Sequence, residues 1–493
     1  MNFLKIITRI FIWSMVTLLI LGACFFYFFG DINKLKSKVE ENLRTQLTCE
    51  VRLGDLDWDW DGLKLGVTTS GISLYDKDNN LVLQGGPTRF VWHLQNLITG
   101  TYSHFYKIES TNLYVNVIRN KNGIWNLIAI FPPGPPPKVD NLKIHNGIIY
   151  LIDELNIASK KALYKDLNLN FEKKLFSTTR NIDLTTRIGS LTSSSFLKLR
   201  GKYSERDKFD WQKSEFNLYL VAKEINLSNW YGYLIDLTKE PIINKISGEF
   251  SGVIKLKKEK FDKSISIRSR TNTKDFLFDF TNKGTRQVIE IPKTDFILKA
   301  VIDQKKINLK TFKSHIDELT YELSGFIYNW SKELPEAELE FKTNKFNFKT
   351  VKPFLPLSLL PQSTRARIEP INDNGLVELD LNLQGPLALP QYKGTILLED
   401  FNLTSESGFL STIHGLDGKL TLDDQITKID YLNIPIENSL LELKGLIDAK
   451  NKKTSFDLSG SSLDFQILEE LLIQSVFPLP FLEIPIRRNN PPG

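Results

Sequence analysis

Alternation of apolar and polar residues along most of the chain constrains its fold more than any other feature of the sequence. In Val377–Gln384 one valine and three leucines alternate with Glu, Asp, Asn and Gln, and Leu167–Phe171 and Phe216–Leu220 repeat the pattern. Successive side chains of a strand point to opposite faces, so strict alternation is typical of an antiparallel sheet with one apolar and one solvated face. The chain is therefore predicted to be mostly β.

Few helices are available to cover the apolar side of so many strands. Apolar spacing predicts an amphipathic helix over Asp31–Leu47 and further helices over Thr88–Thr99 and Phe465–Val476, whereas prolines leave only short helical turns near residues 353–361. An apolar sheet face has to be buried against something. We therefore expect an elongated, curled antiparallel β-sheet groove with few helices, covered by apolar molecules such as lipid acyl chains. A sandwich of two sheets is the alternative.

The residues expected to line such a groove are leucines on the apolar side of alternating runs. In chain order they are Leu218, Leu220, Leu379, Leu381, Leu383, Leu420, Leu422, Leu441 and Leu443. Acyl chains would contact these side chains while the polar lipid heads stay in water at the open edge. A sandwich would use the same residues as its core, so the pattern by itself leaves both covers open.

A single apolar segment near the N-terminus is long enough to cross a membrane. Ile10–Phe29 contains twenty residues without a charge, which matches about 30 Å of hydrocarbon as a helix. Lys5 and Arg9 precede it, so the N-terminus is expected in the cytoplasm and the long remainder outside it. Cleavage of a signal peptide and lipidation at Cys24, within the lipobox-like Leu21–Cys24, are the alternatives.

Proline-rich stretches divide the chain. Residues 132–137 read Pro-Pro-Gly-Pro-Pro-Pro and are expected to be extended. The predicted segments are a transmembrane signal-anchor (1–30), an N-terminal module of one helix and then strands (31–131), a proline-rich linker (132–138), middle groove strands (139–360), a second linker (361–374), C-terminal groove strands (375–476) and a flexible tail (477–493).

A glycine recurs beside many of the alternating runs. We interpret it as marking the start of a strand at Gly147, Gly252, Gly325, Gly394, Gly418 and Gly445. Glycine marks turns and kinks in any meander, and a weak structural repeat that extends one sheet would place glycines in the same way. Both interpretations stay open, and the irregular spacing argues against a solenoid of fixed period.

Residue types that carry catalysis or metal binding are few and scattered. There are five histidines, two cysteines and no HExxH, nucleophile-elbow or Walker motif. Asp57–Gly62 resembles the start of a calcium loop, but Thr68 stands where that loop requires glutamate. The net charge of 63 − 58 = +5 is small for this length. We therefore expect no enzyme activity, no catalytic or metal-binding residues, no cofactor and no nucleic-acid partner.

Basic residues form two local clusters. Their members are Lys255, Lys257, Lys258 and Lys260 in the first, and Lys305 and Lys306 in the second. We interpret both as solvated edges or loops that discourage edge pairing. Attraction of lipid headgroups is the alternative.

Two motifs resemble the AsmA-like family of Gram-negative envelope proteins. Arg119–Leu127, with the sequence RNKNGIWNL, is similar to the element that ends the N-terminal module of that family. Asn141–Asp153, with the sequence NLKIHNGIIYLID, is similar to the element that follows its linker. Gly375–Gly460 is similar to the repeats of the longer relatives TamB and YhdP.

The resemblance implies a repeating β-groove, related in architecture to chorein-type bridge lipid-transfer proteins. It implies an inner-membrane anchor, a periplasmic body and passive conduction of phospholipid between the inner and outer membranes, or another role in outer-membrane assembly. The implied partners are phospholipid acyl chains, the inner membrane, and outer-membrane or periplasmic proteins. The alternative function is a membrane-tethered β-rich scaffold or chaperone for outer-membrane protein assembly. The family offers no catalytic residues to carry over.

Overall fold

A computed structural model of the chain divides it into two compact units, Met1–Phe209 and Asp210–Gly493. Of the residues that the structure describes, 76% lie in strands, so the mostly-β prediction is confirmed. The described residues are 15–16, 32–47, 49–61, 64–77, 79–93, 95–96, 104–127, 138–154, 160–173, 177–189, 195–204, 214–229, 242–259, 262–282, 284–330, 335–355, 357–359, 374–387, 390–404, 412–436 and 439–460.

The described part of the first unit begins with a short helical region and continues as strands. A 3-10 helix, η1 (Ile32–Leu35), leads into α1 (Lys36–Leu47). The strands are β1 (Glu50–Leu53), β2 (Leu56–Asp61), β3 (Lys64–Thr69), β4 (Ile72–Tyr75), β5 (Leu81–Gly85), β6 (Thr88–His93), β7 (His104–Thr111), β8 (Tyr114–Arg119), β9 (Lys138–Asp153), β10 (Lys160–Lys173), β11 (Thr179–Ile188) and β12 (Phe196–Ser204).

The N-terminal helical region closes a small core against the first strands. Ile32 and Val51 are buried in one cluster, against which the apolar side of α1 also packs. The side chain of Asn33 joins the region to β2: its Nδ2 donates to the carbonyl of Leu56 at 3.1 Å, and its Oδ1 accepts from the Leu56 N–H at 2.8 Å. The amphipathic helix predicted over residues 31–47 is therefore confirmed from Ile32 onward.

The long strand β9 joins the N-terminal strands to the meander that follows. Both β7 and β8 run parallel to it, with Ile108 opposite Leu142 and Val115 opposite Ile149. The next strands, β10 to β12, are antiparallel neighbours in chain order. Antiparallel pairing thus dominates this unit as predicted, and β7 and β8 supply the parallel exceptions.

The helix predicted over Thr88–Thr99 is wrong in its first half. Thr88–His93 forms β6, which pairs with β3 on one side and β7 on the other, and its Val91 is fully buried. Within the described part of this stretch, only Gln95 and Asn96 have helical backbone. β-branched and aromatic residues favour a strand here, and pairing on two sides outweighs the helical spacing.

Several predictions fall outside the described residues. The regions concerned are 10–29 apart from residues 15–16, the linker 132–137, the helix predicted over 465–476 and the tail 477–493. Among the residues that are described, no helix is long and apolar enough to span a membrane. The transmembrane segment therefore stays a prediction from the sequence.

The described residues of the second unit form longer strands and four short helical turns. Its elements are β13 (Glu215–Asn226), η2 (Leu227–Asn229), β14 (Ile242–Lys258), β15 (Ile265–Asn282), β16 (Thr285–Ile302), β17 (Lys306–Ile316), β18 (Leu319–Tyr328), β19 (Glu336–Thr343), β20 (Phe346–Asn347), α2 (Phe348–Val351), η3 (Lys352–Phe354), η4 (Leu357–Leu359), β21 (Leu376–Pro386), β22 (Gln391–Thr404), β23 (Thr412–Asp423), β24 (Ile426–Ile436), β25 (Ser439–Asp448) and β26 (Lys453–Gly460).

These strands follow one another across the sheet in chain order. Each neighbouring pair from β13 to β19 is antiparallel. Both β19 and the two-residue β20 pair with β21, and the meander continues antiparallel from β21 to β26. The second unit is therefore an antiparallel sheet that grows one strand at a time.

The recurring glycines lie inside strands, which corrects the interpretation that they mark strand starts. Gly325 sits in the second half of β18 with φ +127°, and Gly394 lies within β22. A Cβ on Gly325 would lie 2.1 Å from the carbonyl oxygen of Glu338, and one on Gly394 would lie 2.0 Å from that of Asp380. Glycine is therefore required where neighbouring strands approach closely at these points.

Gly325→Ala is expected to destabilise the protein by about 2–4 kcal/mol, because its methyl group meets a backbone oxygen at a positive φ. Gly385→Ala is the matched control: its φ is +96°, but no atom lies within 4 Å of its Cβ position. The control is expected to cost about 1 kcal/mol. Urea unfolding followed by circular dichroism measures both, and equal losses would contradict the role of the contact.

Candidate functional site

One face of the sheet in the second unit carries all nine leucines that the sequence singles out. Directly paired residues of an antiparallel ladder lie on the same face, so the register traces that face from strand to strand. The row that starts at Leu218 runs through Leu256, Ile267, Ala300, Leu309, Gly325 and Leu339 to Leu383. The next row, from Leu220, runs through Ile254, Ser269, Leu298, Phe312, Leu323 and Phe341 to Leu381.

The same face continues through the C-terminal strands. Leu381 is opposite Gly394 and then Leu422, and Leu379 is opposite Ile396 and then Leu420. Leu398 is opposite Gly418, which is opposite Leu432, and Leu432 is in turn opposite Leu443. Two residues along the same pair of strands, Leu441 is opposite Ile434. This surface, called the apolar face below, runs without a break from β13 to β25. Twelve strands at about 4.8 Å per spacing give a path of about 50 Å across them.

The nine leucines differ in burial. Seven are half-buried: Leu218, Leu220, Leu379, Leu381, Leu383, Leu420 and Leu422. Leu441 and Leu443, in contrast, are only 1% and 7% exposed and belong to a cluster with Ile434 and Phe401. Three of the half-buried leucines also pack against buried clusters: Leu379 and Leu420 against the cluster that contains Leu441, and Leu383 against a cluster around Leu339. Burial is therefore nearly complete at Leu441 and Leu443 and partial at the other seven positions.

A short helical segment lies on part of the apolar face. In η3, Phe354 packs against a cluster formed by Phe280, Ile289 and Ile316. The side chain of Gln287 on β16 holds the segment in place. Its Nε2 donates to the carbonyl of Leu355 at 2.7 Å, and its Oε1 accepts from the Ser358 N–H at 2.9 Å. The sequence predicts its short turns from the prolines, but nothing local indicates where the segment packs.

Aromatic side chains cross the middle of the apolar face. Phe296, Phe312, Tyr321 and Phe341 stand on four successive strands, with neighbouring ring centroids 6.0, 5.9 and 5.9 Å apart. Burial raises the pKa of the Tyr321 hydroxyl, so this group stays neutral at physiological pH. These rings give the centre of the face a broad, uncharged surface.

The opposite face of the same strands, called the outer face below, is charged. On the C-terminal strands lysines and carboxylates pair across it, as in Lys342–Asp380 at 3.4 Å and Lys393–Asp423 at 2.9 Å. Such exposed pairs contribute little to stability but keep this side in water. The strands therefore separate an apolar surface from a solvated one, as the alternation predicts.

One carboxylate beside the apolar face is nearly buried. The side chain of Asp279 is 7% exposed and accepts two hydrogen bonds from Arg286, from Nε at 3.0 Å and from Nη2 at 2.6 Å. Asn244 Nδ2 donates a third at 2.9 Å. The Arg286 guanidinium, with help from Asn244, holds the pKa of the Asp279 carboxyl below its ordinary value.

Removing Arg286 is expected to make the stability of the protein depend less on pH in the acidic range. A depressed carboxyl pKa contributes stability that is present above the unfolded pKa of about 3.9 and is lost as the pH falls through the folded value. Arg286→Met should therefore lower the urea midpoint at neutral pH, and the deficit should shrink below about pH 4. Lys393→Met, which breaks an exposed pair, is the control and should change the midpoint far less. A deficit that is constant with pH would contradict this assignment.

In the first unit, the two motifs that carry the family resemblance meet. Arg119 ends β8 directly opposite Asp153, the last residue of β9, and its Nη1 lies 3.6 Å from the carboxylate. The Arg119 guanidinium also stands 5.7 Å from the ring centre of Trp125. Asn126 donates to the carbonyl of Asn116 at 2.7 Å. Arg119 therefore links the ends of β8 and β9, and Trp125 and Asn126 fold back onto the end of β8.

The aspartate-rich segment that resembles a calcium loop lies among the strands of the first unit. Asp57–Gly62 lies mainly in β2, where Trp58 packs on the N-terminal core while Trp60 is exposed and Asp59 pairs with Arg89. Alternation of Trp58 and Trp60 with aspartates predicts a strand with both tryptophans on its apolar side, but only Trp58 packs on the core. No group of three or more His, Cys, Asp or Glu side chains suited to a metal occurs in the part of the chain that is described.

A protein-family model matches nearly the whole chain. The model, described as YhdP protein, covers residues 1–468. The match thus includes the first unit and the second unit through all of its described strands. No match was found among curated proteins or among solved structures.

Proposed function

The chain belongs to the YhdP family, a member of the AsmA-like group of envelope proteins, and on this premise we propose that it binds phospholipid acyl chains on the apolar face. It conducts them passively between the inner and outer membranes. The bulk of the chain lies in the periplasm, anchored in the inner membrane by the apolar segment at residues 10–29. This assignment rests on the family and on the sequence of that segment.

The observation that carries the proposal is the continuity of half-buried leucines across the sheet. Leu218 and Leu220 at β13 and Leu420 and Leu422 at β23 lie on one face, and rows of apolar side chains link them. A surface of this kind is costly in water unless something apolar covers it. Acyl chains fit because each buried methylene contributes about 0.8 kcal/mol without requiring any specific contact.

Passive movement follows from the uniform chemistry of the surface. An acyl chain that moves from one strand to the next exchanges one set of apolar contacts for an equivalent set, so no deep binding site holds it. The headgroup stays in water, because carrying a charge across an apolar surface is costly. No catalytic step is needed, and the direction of flow follows the supply of lipid at either end.

The first test is lipid content. The full chain, purified in mild detergent, is examined by native mass spectrometry and by extraction of bound lipid. Several phospholipids per chain are expected. A lipid-free, compact protein would contradict the proposal and favour the scaffold or chaperone function instead.

Leu381→Asp combined with Leu383→Asp is expected to remove most of the bound phospholipid, because two carboxylates then stand in the acyl path. Both leucines are half-buried, so the fold should survive, as circular dichroism will check. Asn382→Asp with Gln384→Asp places the same charges on the outer face of the same strand and should leave the lipid content unchanged. Equal lipid in the two double variants would contradict the assignment of the face.

Leu441→Asp is expected to behave differently from the changes on β21. Leu441 is 1% exposed within a packed cluster, so a buried carboxylate there should destabilise the protein by about 4 kcal/mol or more. Urea unfolding is the measurement. Stability close to that of the unmodified protein would show that this end of the face is open after all.

A further inference from the structure

Four cations stand together on the outer face of β14, β15 and β16. Lys255 is directly opposite Arg268, and Arg268 is directly opposite Lys299, so three positive side chains form one row across three strands. Arg270 lies two residues along β15 on the same face. All four side chains are exposed. They are called the cationic row below.

This arrangement is unfavourable for the isolated protein. Directly opposed residues have Cβ atoms about 4.5–5.5 Å apart, and like charges at that distance destabilise a sheet. Among the described residues, no carboxylate forms an ion pair with Arg268, Arg270 or Lys299. The neighbouring Lys257, in contrast, is paired with Glu259 at 2.6 Å. An uncompensated row of this kind is explained if an anionic ligand supplies the missing charge.

The rest of the outer face has a different charge pattern, which sets the bounds of the cationic row. Lys313 on β17 is opposite Glu322, and acidic residues dominate the outer side of β19 at Glu336, Glu338 and Glu340. That acidic strand is three spacings, about 14 Å, from Lys299, which exceeds the screening length at physiological salt. Farther on, the C-terminal strands carry paired charges such as Lys393–Asp423. The row of directly opposed cations therefore spans β14, β15 and β16.

We infer that the cationic row docks on the anionic headgroups of a phospholipid membrane. The row lies on the open face of a sheet, where the side chains are long and exposed, and this suits a layer of many phosphates better than a single defined anion. Tyr219, 45% exposed, stands opposite Lys255, and Val253 and Ile297 flank Arg270 on the two neighbouring strands. An exposed tyrosine beside basic residues is typical of surfaces that meet lipid headgroups. This contact involves the outer face and does not depend on lipid bound to the apolar face.

The test measures capture of vesicles by the immobilised full chain. Fluorescent vesicles of phosphatidylcholine alone are compared with vesicles of equal parts phosphatidylcholine and phosphatidylglycerol, at low and at high salt. The quantity of interest is the extra capture that phosphatidylglycerol produces. Arg268→Gln combined with Lys299→Gln is expected to reduce that extra capture about 20-fold, since each basic residue near an anionic surface contributes about one factor of five. High salt should reduce it in the unmodified protein.

Lys393→Gln with Lys444→Gln is the matched control, because it also removes two outer-face lysines, but from ion pairs with Asp423 and Glu442. It should leave the extra capture nearly unchanged. Equal loss in both double variants, or no dependence on phosphatidylglycerol, would overturn the inference. Crosslinking of the row to an acidic protein without vesicle capture would overturn it in favour of a protein partner. Co-purified lipid should be the same in all these variants, so failure here is distinguishable from failure of the proposed function.

Discussion

Unbroken cross-strand register is the constraint on which the second unit depends. Side chains alternate with a period of two, so a slip of one residue at any pairing would move all later apolar residues to the outer face. Bulges insert extra residues locally, yet the pairing beyond each bulge keeps the apolar side chains on the same face. Between β16 and β17, for example, Leu298 pairs with Phe312 and Ala300 with Leu309, so one extra residue is absorbed without changing the face. Backbone hydrogen bonds, rather than one dominant core, thus maintain the separation of the two surfaces.

The two surfaces make different demands on the same strands. Half-buried leucines on one side leave apolar area in contact with water, and opposed cations on the other side repel one another. Buried side chains on these strands pack into clusters around Phe280, around Leu339 and around Leu441. Half-buried apolar side chains beside these clusters leave surface that contacts with other molecules can cover.

Local sequence patterns predict several strands and a helix correctly, but they do not predict contacts between segments that are distant in the chain. Alternation at Val377–Gln384 correctly predicts a strand and its apolar side, and the spacing over residues 32–47 correctly predicts a helix. The strand at Thr88–His93 was mispredicted, because pairing on both sides outweighs its helical spacing. The cationic row cannot be read from local patterns, since Lys255, Arg268 and Lys299 meet only through register. The same is true of the packing of Phe354, which comes from a distant segment.

Strand order that follows chain order has a consequence for how such a protein is made. In the second unit each hairpin pairs with the one before it, so contacts are local in sequence. Closing the short loops therefore costs little conformational entropy. The sheet can form progressively as the chain emerges, with each new strand adding to a finished edge. Length then becomes an easily adjusted property: inserting one hairpin between β22 and β25 would extend the sheet by about 10 Å without altering any pairing outside that junction. The length of such a sheet can therefore change in evolution through the gain or loss of hairpins.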